Sequence, residues 1–185
     1  MMDSEANDQM ALTYCDRASS CFFEEEPLEV RWKEASQYLA SAQKTAVTDK
    51  VKAYVRERTE EMTVIFLLLS AQDKINQIER DLEGGACDMD RIRSQLEGEK
   101  RILQESSKLG RAEEIIVARN KHYLREQNAT YEALIERIGA LMTQVESREL
   151  AQSARTDARL LPARQSGPQG PNTDPARTTA KKQVA

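Results

Sequence analysis

The side chains able to do chemistry are few. His122 is the one histidine, set between Lys121 and Tyr123 with neither a cysteine nearby nor an acid cluster one turn on. A metal site or proton relay needs such neighbours, so His122 reads as a surface residue. Cys15, Cys21 and Cys87 are odd in number and none belongs to a C-x-x-C pair, which points to free thiols in a reducing compartment rather than a disulfide framework or zinc module. Glu24, Glu25 and Glu26 precede a proline-led helix and suit the positive end of its dipole better than a cation. There is no glycine-rich phosphate loop, nucleophile elbow or Cys/His pair. The expectation is a non-enzymatic protein without cofactor, metal or small-molecule substrate.

Two further features invite a nucleic-acid reading. Trp32 stands between Arg31 and Lys33, but its spacing to Leu28, Ala35 and Leu39 makes it a core anchor rather than a base-stacking platform. From Ala151 onward, Arg155, Arg159, Arg164, Arg177, Lys181 and Lys182 stand against only Asp157 and Asp174. These cations are the candidate RNA contacts, and they imply weak, sequence-independent, salt-sensitive binding to phosphates, direct or by way of other chains.

The elements that must position these residues are helical. Of 185 residues, 31% are charged and 5% aromatic, with a net charge of -4, thin material for a self-contained globular core. The N-terminal twenty residues are acidic and polar, without the basic start and apolar centre of an export signal. Residues 1–26 are expected to be a polar disordered leader. Residues 27–71 form an N-terminal helical segment, opened by Pro27 and carrying Leu28, Trp32, Ala35, Leu39, Ala42 and Ala46 on one face. Thr48 and Asp49 are suited to start a second helix. Residues 72–150 are a long coiled-coil segment, and 151–185 a disordered basic tail rich in Pro, Gly, Ser and Thr.

The coiled-coil assignment rests on spacing. Ile75, Leu82, Met89, Leu96, Leu103, Gly110, Val117, Leu124, Tyr131, Ile138 and Val145 follow one another at seven-residue steps. A second column, Ile78, Gly85, Ile92, Glu99, Ser106, Glu113, Asn120, Gln127, Leu134 and Leu141, lies three residues behind and turns polar in its middle. No proline interrupts the chain between Pro27 and Pro162. The unchanged phase across Gly84 and Gly85 favours a continuous helix over a hairpin, and helix throughout 75–145 spans roughly 100 Å. The fold expected is all-α: extended helices pairing with a partner chain, with disordered termini.

The run "EEMTVIFLLLSAQDK" is too short, between Glu60–Glu61 and Asp73–Lys74, to cross a bilayer. As a helix it points apolar groups in every direction and must be enclosed, which the sequence suggests needs a second polypeptide. The expected partner-binding residues are therefore Trp32, Leu39, Val64, Ile65, Phe66 and Leu68, together with Ile75, Ile78, Leu82, Met89, Ile92, Leu96, Leu103, Val117, Leu124, Tyr131, Leu134, Ile138, Leu141 and Val145 of the two columns.

The stretch from Asp88 to Leu150 resembles the C-terminal coiled-coil half of the THO complex subunit 7 family. That family shows an amphipathic helix, a basic stretch, an E-x-I/L segment, a short polar link with a threonine, and a closing helix. The corresponding residues are Ile92 to Leu103, Lys108 and Arg111, Glu114 to Val117, Thr130, and Leu134 to Val145. The family's link carries a proline and an arginine ahead of the threonine, where this chain has Arg125 and Gln127. The resemblance implies a nuclear scaffold subunit that pairs with THO subunit five and joins other THO subunits in messenger RNA packaging and export. A kinetochore or Mediator-type subunit, or a vesicle- or lysosome-tethering coiled coil, has the same composition.

Overall fold

The computed structural model describes residues 2–85, 88–106 and 118–160. Among them every regular element is helical and no strand occurs: the fold is all-α. Helix α1 spans Met2–Ser20, and a 3-10 turn follows at Cys21–Phe23. Helix α2 spans Leu28–Thr45, α3 Asp49–Glu83, α4 Met89–Glu105, α5 Ala118–Glu126 and α6 Tyr131–Leu160. None is long and apolar enough to cross a membrane. The chain divides into two units, Met1–Glu149 and Leu150–Ala185, with the boundary inside α6.

The leader expected to be disordered is helix α1. Its buried apolar residues are Ala11, Cys15 and Ala18, continued by Phe22. The spacing of four, three and four is a helical seam, but small side chains give it little hydrophobic signal. α2 presents Ala35, Leu39 and Ala42, so the two backbones lie close along their length. Interaxial distance follows the side chains at the contact, and alanine-sized groups allow the near end of the usual 8–10 Å range. Asp8 closes the far end: its carboxylate accepts from the Val47 amide at 2.7 Å, the Thr48 amide at 3.2 Å and the Thr48 hydroxyl at 2.6 Å. Thr48 is itself the N-cap of α3, accepting from Val51 N–H at 3.4 Å.

Helix α3 carries two buried stripes. Val55, Arg58, Met62, Ile65 and Leu69 form the first; Glu61, Val64, Leu68, Ala71, Ile75, Ile78 and Leu82 form the second. Each follows three-four spacing, the second one position behind the first where they overlap. The first turns toward α1 and α2, since Val55 clusters with Ala11, Cys15, Ala42 and Ala46. Polar flanks of the second meet the later helices: Lys74 pairs with Glu99 at 2.7 Å, and Arg137 reaches Glu79 and Asn76, each at 2.7 Å. The all-round apolar run is the place where the stripes overlap. Val64, Ile65, Leu68 and Leu69 are buried by this chain's own residues and Phe66 and Leu67 half-buried, so most of the cover expected from a second polypeptide comes from within the chain, a correction to that expectation.

The uninterrupted helix expected over 75–145 is also corrected. α3 ends at Gly84–Gly85, where Gly85 adopts φ 76, left-handed backbone that glycine takes without steric cost. Asp88 caps α4 by accepting from Arg91 N–H at 3.2 Å. The chain turns back there, and Leu82 and Met89, on opposite sides of the turn, both stay buried. A second turn follows α5, where Asn128 has φ 53 and the Ala129 amide donates to Leu124 O at 2.8 Å. Asparagine tolerates that conformation better than most residues. Thr130 accepts from the Ala133 amide at 3.3 Å and opens α6, so the link is a turn. The tail expected to be disordered from Ala151 continues α6 to Leu160; residues 161–185 lie outside the described residues.

Candidate functional site

The residues assigned to partner binding lie inside this chain's own core. Leu39, Val64, Ile65, Leu68, Ile75, Ile78, Leu82, Met89, Ile92, Leu96, Leu103, Leu124, Leu134, Ile138, Leu141 and Val145 belong to one buried cluster, against which Trp32, Phe66 and Tyr131 pack. Both columns are buried wherever they are described within helices α3 to α6, apart from the half-buried Tyr131. Heptad spacing specifies a buried stripe and not whose helix covers it. Val117 lies outside the described residues.

Where the second column turns polar, Glu99 and Asn120 stay buried and have partners, while Ser106 is half-buried and Gln127 exposed. Glu99 is 9% exposed and paired with Lys74. Asn120 is 6% exposed and donates to Glu61, which also accepts from Arg58. The Arg58 guanidinium donates to Ser19 Oγ at 2.9 Å, and its Nε has no hydrogen-bond partner among the described residues. Arg58 and Glu61 are 6% and 2% exposed, an ion pair that carries a large desolvation cost and joins α1, α3 and α5 at one point. Beside it, burial raises the pKa of the Cys15 thiol, against the opposing pull of Arg58. Sequence reasoning missed this network because Arg58 and Glu61 lie within a charged stretch, Arg56 to Glu61, that looks solvated.

An aromatic cluster adjoins it. Trp32 stacks on Phe66 with centroids 4.6 Å apart and planes 17° apart, and meets Phe22 at 6.4 Å. Phe23 packs edge-on against Tyr123 at 5.2 Å. Trp32 is thus an anchor that fixes α2 on the apolar run of α3.

Among the described residues, His122 joins neither a cysteine nor an acid cluster. His122 lies 3.1 Å from Glu126, both exposed, a surface pair one turn apart. Cys21 Sγ and carboxylate oxygens of Glu24 and Glu34 lie within 4.8 Å of one another. Burial first, then the two acids, raise the Cys21 pKa. Glu24 and Glu34 are exposed, and exposed acidic groups commonly stand together without an ion. Arg155 is exposed on α6. The Arg159 side chain and Arg164, Arg177, Lys181 and Lys182 lie outside what the structure describes.

Between α3 and α4 runs a trough. One hollow of about 470 Å³ is lined by residues including Lys74, Ile78, Gly98, Glu99 and Ile102; an adjoining one of about 280 Å³ shares Asp81, Arg91 and Gln95 with it. Ile102 is 46% exposed at its edge. No family model, curated protein or solved structure matches this chain.

Proposed function

We propose that this chain is a non-enzymatic helical scaffold subunit of a nuclear multiprotein assembly of the THO type, acting in messenger RNP assembly and export. The observation that carries the reading is the order of elements after the Gly84–Gly85 turn. An amphipathic helix, α4, is followed by α5, a short polar link led out by Thr130, and the closing helix α6 with Leu134, Ile138, Leu141 and Val145 buried. The resembled family has an amphipathic helix, a threonine-bearing link and a closing helix in this order; its basic stretch and E-x-I/L segment, at Lys108, Arg111 and Glu114 to Val117, correspond to positions outside the described residues. The scattered chemistry supports a structural role, since no two functional groups share an enclosed polar site of catalytic geometry among the described residues.

The closed seam changes how partners are engaged. Helices whose columns already cover one another offer outer faces rather than open seams, so assembly with THO subunit five and its neighbours proceeds by docking. RNA contact rests on the residues after Ala151 and is weak or indirect. The test is affinity purification of a tagged full-length chain from nuclear extract, with mass spectrometry. Recovery of an mRNA-export assembly supports the reading; reproducible recovery of a kinetochore, Mediator or tethering assembly instead replaces it.

A further inference from the structure

We propose that α1 is a hinged strap: residues 2–17 lift off α2 and α3 and melt while the rest of the fold stays intact, so the protein has a closed and a lifted native form. This goes beyond the assembly reading and does not depend on it. A two-form helix is an element that a bound partner can bias.

The buried residues fall into two clusters. The main one, built on the leucines and isoleucines of α3 to α6, takes in only the C-terminal end of this region, at Ala18, Cys21 and Phe22. Phe22 is fixed there against Trp32, and its carbonyl accepts from the Arg31 guanidinium at 2.6 Å. Ala11 and Cys15 belong instead to a small satellite with Ala42, Ala46 and Val55. Side chains of that size bury little apolar area, so residues 2–17 are held far more weakly than the main core. Tyr14 on Tyr38, and Arg17 over the same ring at 6.0 Å, add only half-buried contacts at the limit of their range. The hinge lies at Ala18–Phe22, where the strongly and weakly held parts join.

The polar contacts are of a kind that water replaces. Asp8 catches the far end of the strap through Val47 and Thr48, both exposed. On lifting, water takes the place of each partner, and the net loss is far below the gross strength of the bonds. Beneath the seam the balance runs the other way. Arg58 is 6% exposed, its Nε has no hydrogen-bond partner among the described residues, and it adjoins α1 at Ser19 Oγ. Lifting lets water reach the guanidinium, so part of the desolvation cost of the closed form falls away. A single helix of this length is marginal in water, and the lifted segment gains chain entropy by melting.

Cys15 and Cys21 report the two sides of the hinge. They are 0% and 2% exposed, so static burial protects them alike. The full chain is pulsed with N-ethylmaleimide, at concentrations where rate is proportional to reagent, and digested with trypsin, which separates the two thiols by cutting after Arg17. Each initial rate is divided by that of the same thiol in the urea-unfolded chain. Cys15 is expected to react about 100-fold or more faster than Cys21 and to respond little to low urea, whereas Cys21 accelerates steeply. Leu96→Ala weakens the main core in both native forms equally, so it should raise the Cys21 rate about thirtyfold or more and leave Cys15 within about twofold. If that variant fails to fold, Ile138→Val serves, with a rise of about fivefold at Cys21 alone. Asp8→Ala opens the catch and should raise the Cys15 rate about tenfold. Equal normalised rates for the two thiols overturn the proposal, as does a core variant that accelerates both by the same factor, because α1 then opens only with the whole fold. A Cys15 rate unchanged by Asp8→Ala overturns it too, since the opening then leaves the catch shut.

Discussion

The α1–α2 pair and the α3–α4–α6 region use the same three-four spacing with opposite materials. The first closes over Ala11, Cys15, Ala18, Ala35 and Ala42, with backbones close together. The second closes over Leu82, Leu96, Leu103, Leu134 and Ile138, and its backbones stand further apart. Small residues bury little apolar area each but allow close backbone contact; large ones bury about 1.5–3 kcal/mol apiece and hold helices apart. The comparison teaches that geometry and hydrophobic payload are separable, and that each region fails in its own way.

The sharpest break lies where the two regions meet. Arg58→Met removes the buried guanidinium that joins Glu61 to Ser19, and a loss of about 3–5 kcal/mol is expected in urea unfolding. A loss of under about 1 kcal/mol, as for an exposed pair, contradicts the burial assigned to Arg58 and Glu61.

Within the large-residue region, Leu96→Ala should cost about 2–5 kcal/mol, while the exposed neighbour Glu97→Ala stays within about 0.5 kcal/mol. Equal effects on thermal unfolding sink the burial assigned to Leu96. The small-residue region should respond in the reverse sense. Ala35→Leu adds volume where there is no room and is expected to destabilise by about 1–3 kcal/mol, although leucine is larger, apolar and a good helix former. A stabilised Ala35→Leu shows that the close approach of α1 and α2 is absent in solution.

The smallest expected effect is on acid stability. The Thr48 hydroxyl first, then the Val47 amide, hold the Asp8 carboxyl below its ordinary value of 3.8. Because the folded pKa is the lower one, the contribution is complete above the unfolded value and is lost as pH falls through the folded value. Asp8→Asn should therefore lower stability at neutral pH and flatten its decline below about pH 4. Parallel pH profiles for the variant and wild type in urea titrations remove the role given to Asp8.

How much was legible follows from the same contrast. Leucine and isoleucine at seven-residue steps announce a buried stripe, and the columns from Ile75 to Val145 are buried wherever described within helices α3 to α6, apart from half-buried Tyr131. Ala11, Cys15 and Ala18 announce nothing, because their spacing is hidden by low hydropathy, and a helix was taken for a disordered leader. Gly84–Gly85 was misread for a different reason. A turn can preserve heptad phase, so phase alone cannot separate one long helix from two that fold back. Whether a seam closes within the chain or on another depends on the turns, and those rest on single residues such as Gly85 and Asn128. The trough was invisible in sequence, since it arises from a space between helices.

The overlap of two stripes on α3 constrains how this protein can change length. Removing one residue between Glu61 and Leu69 rotates everything beyond it by about 100°, which exchanges the stripe facing α5 and α6 for its neighbour. Adding seven residues, about two turns, nearly restores the angle but displaces one end by roughly 10 Å, so every matching helix must lengthen with it. Insertions and deletions in α3 are thus quantised, and only coordinated steps shared with the helices alongside preserve both sets of contacts. The turn at Gly84–Gly85 carries no such constraint, and it is there, rather than in the longest helix, that new length can enter at least cost.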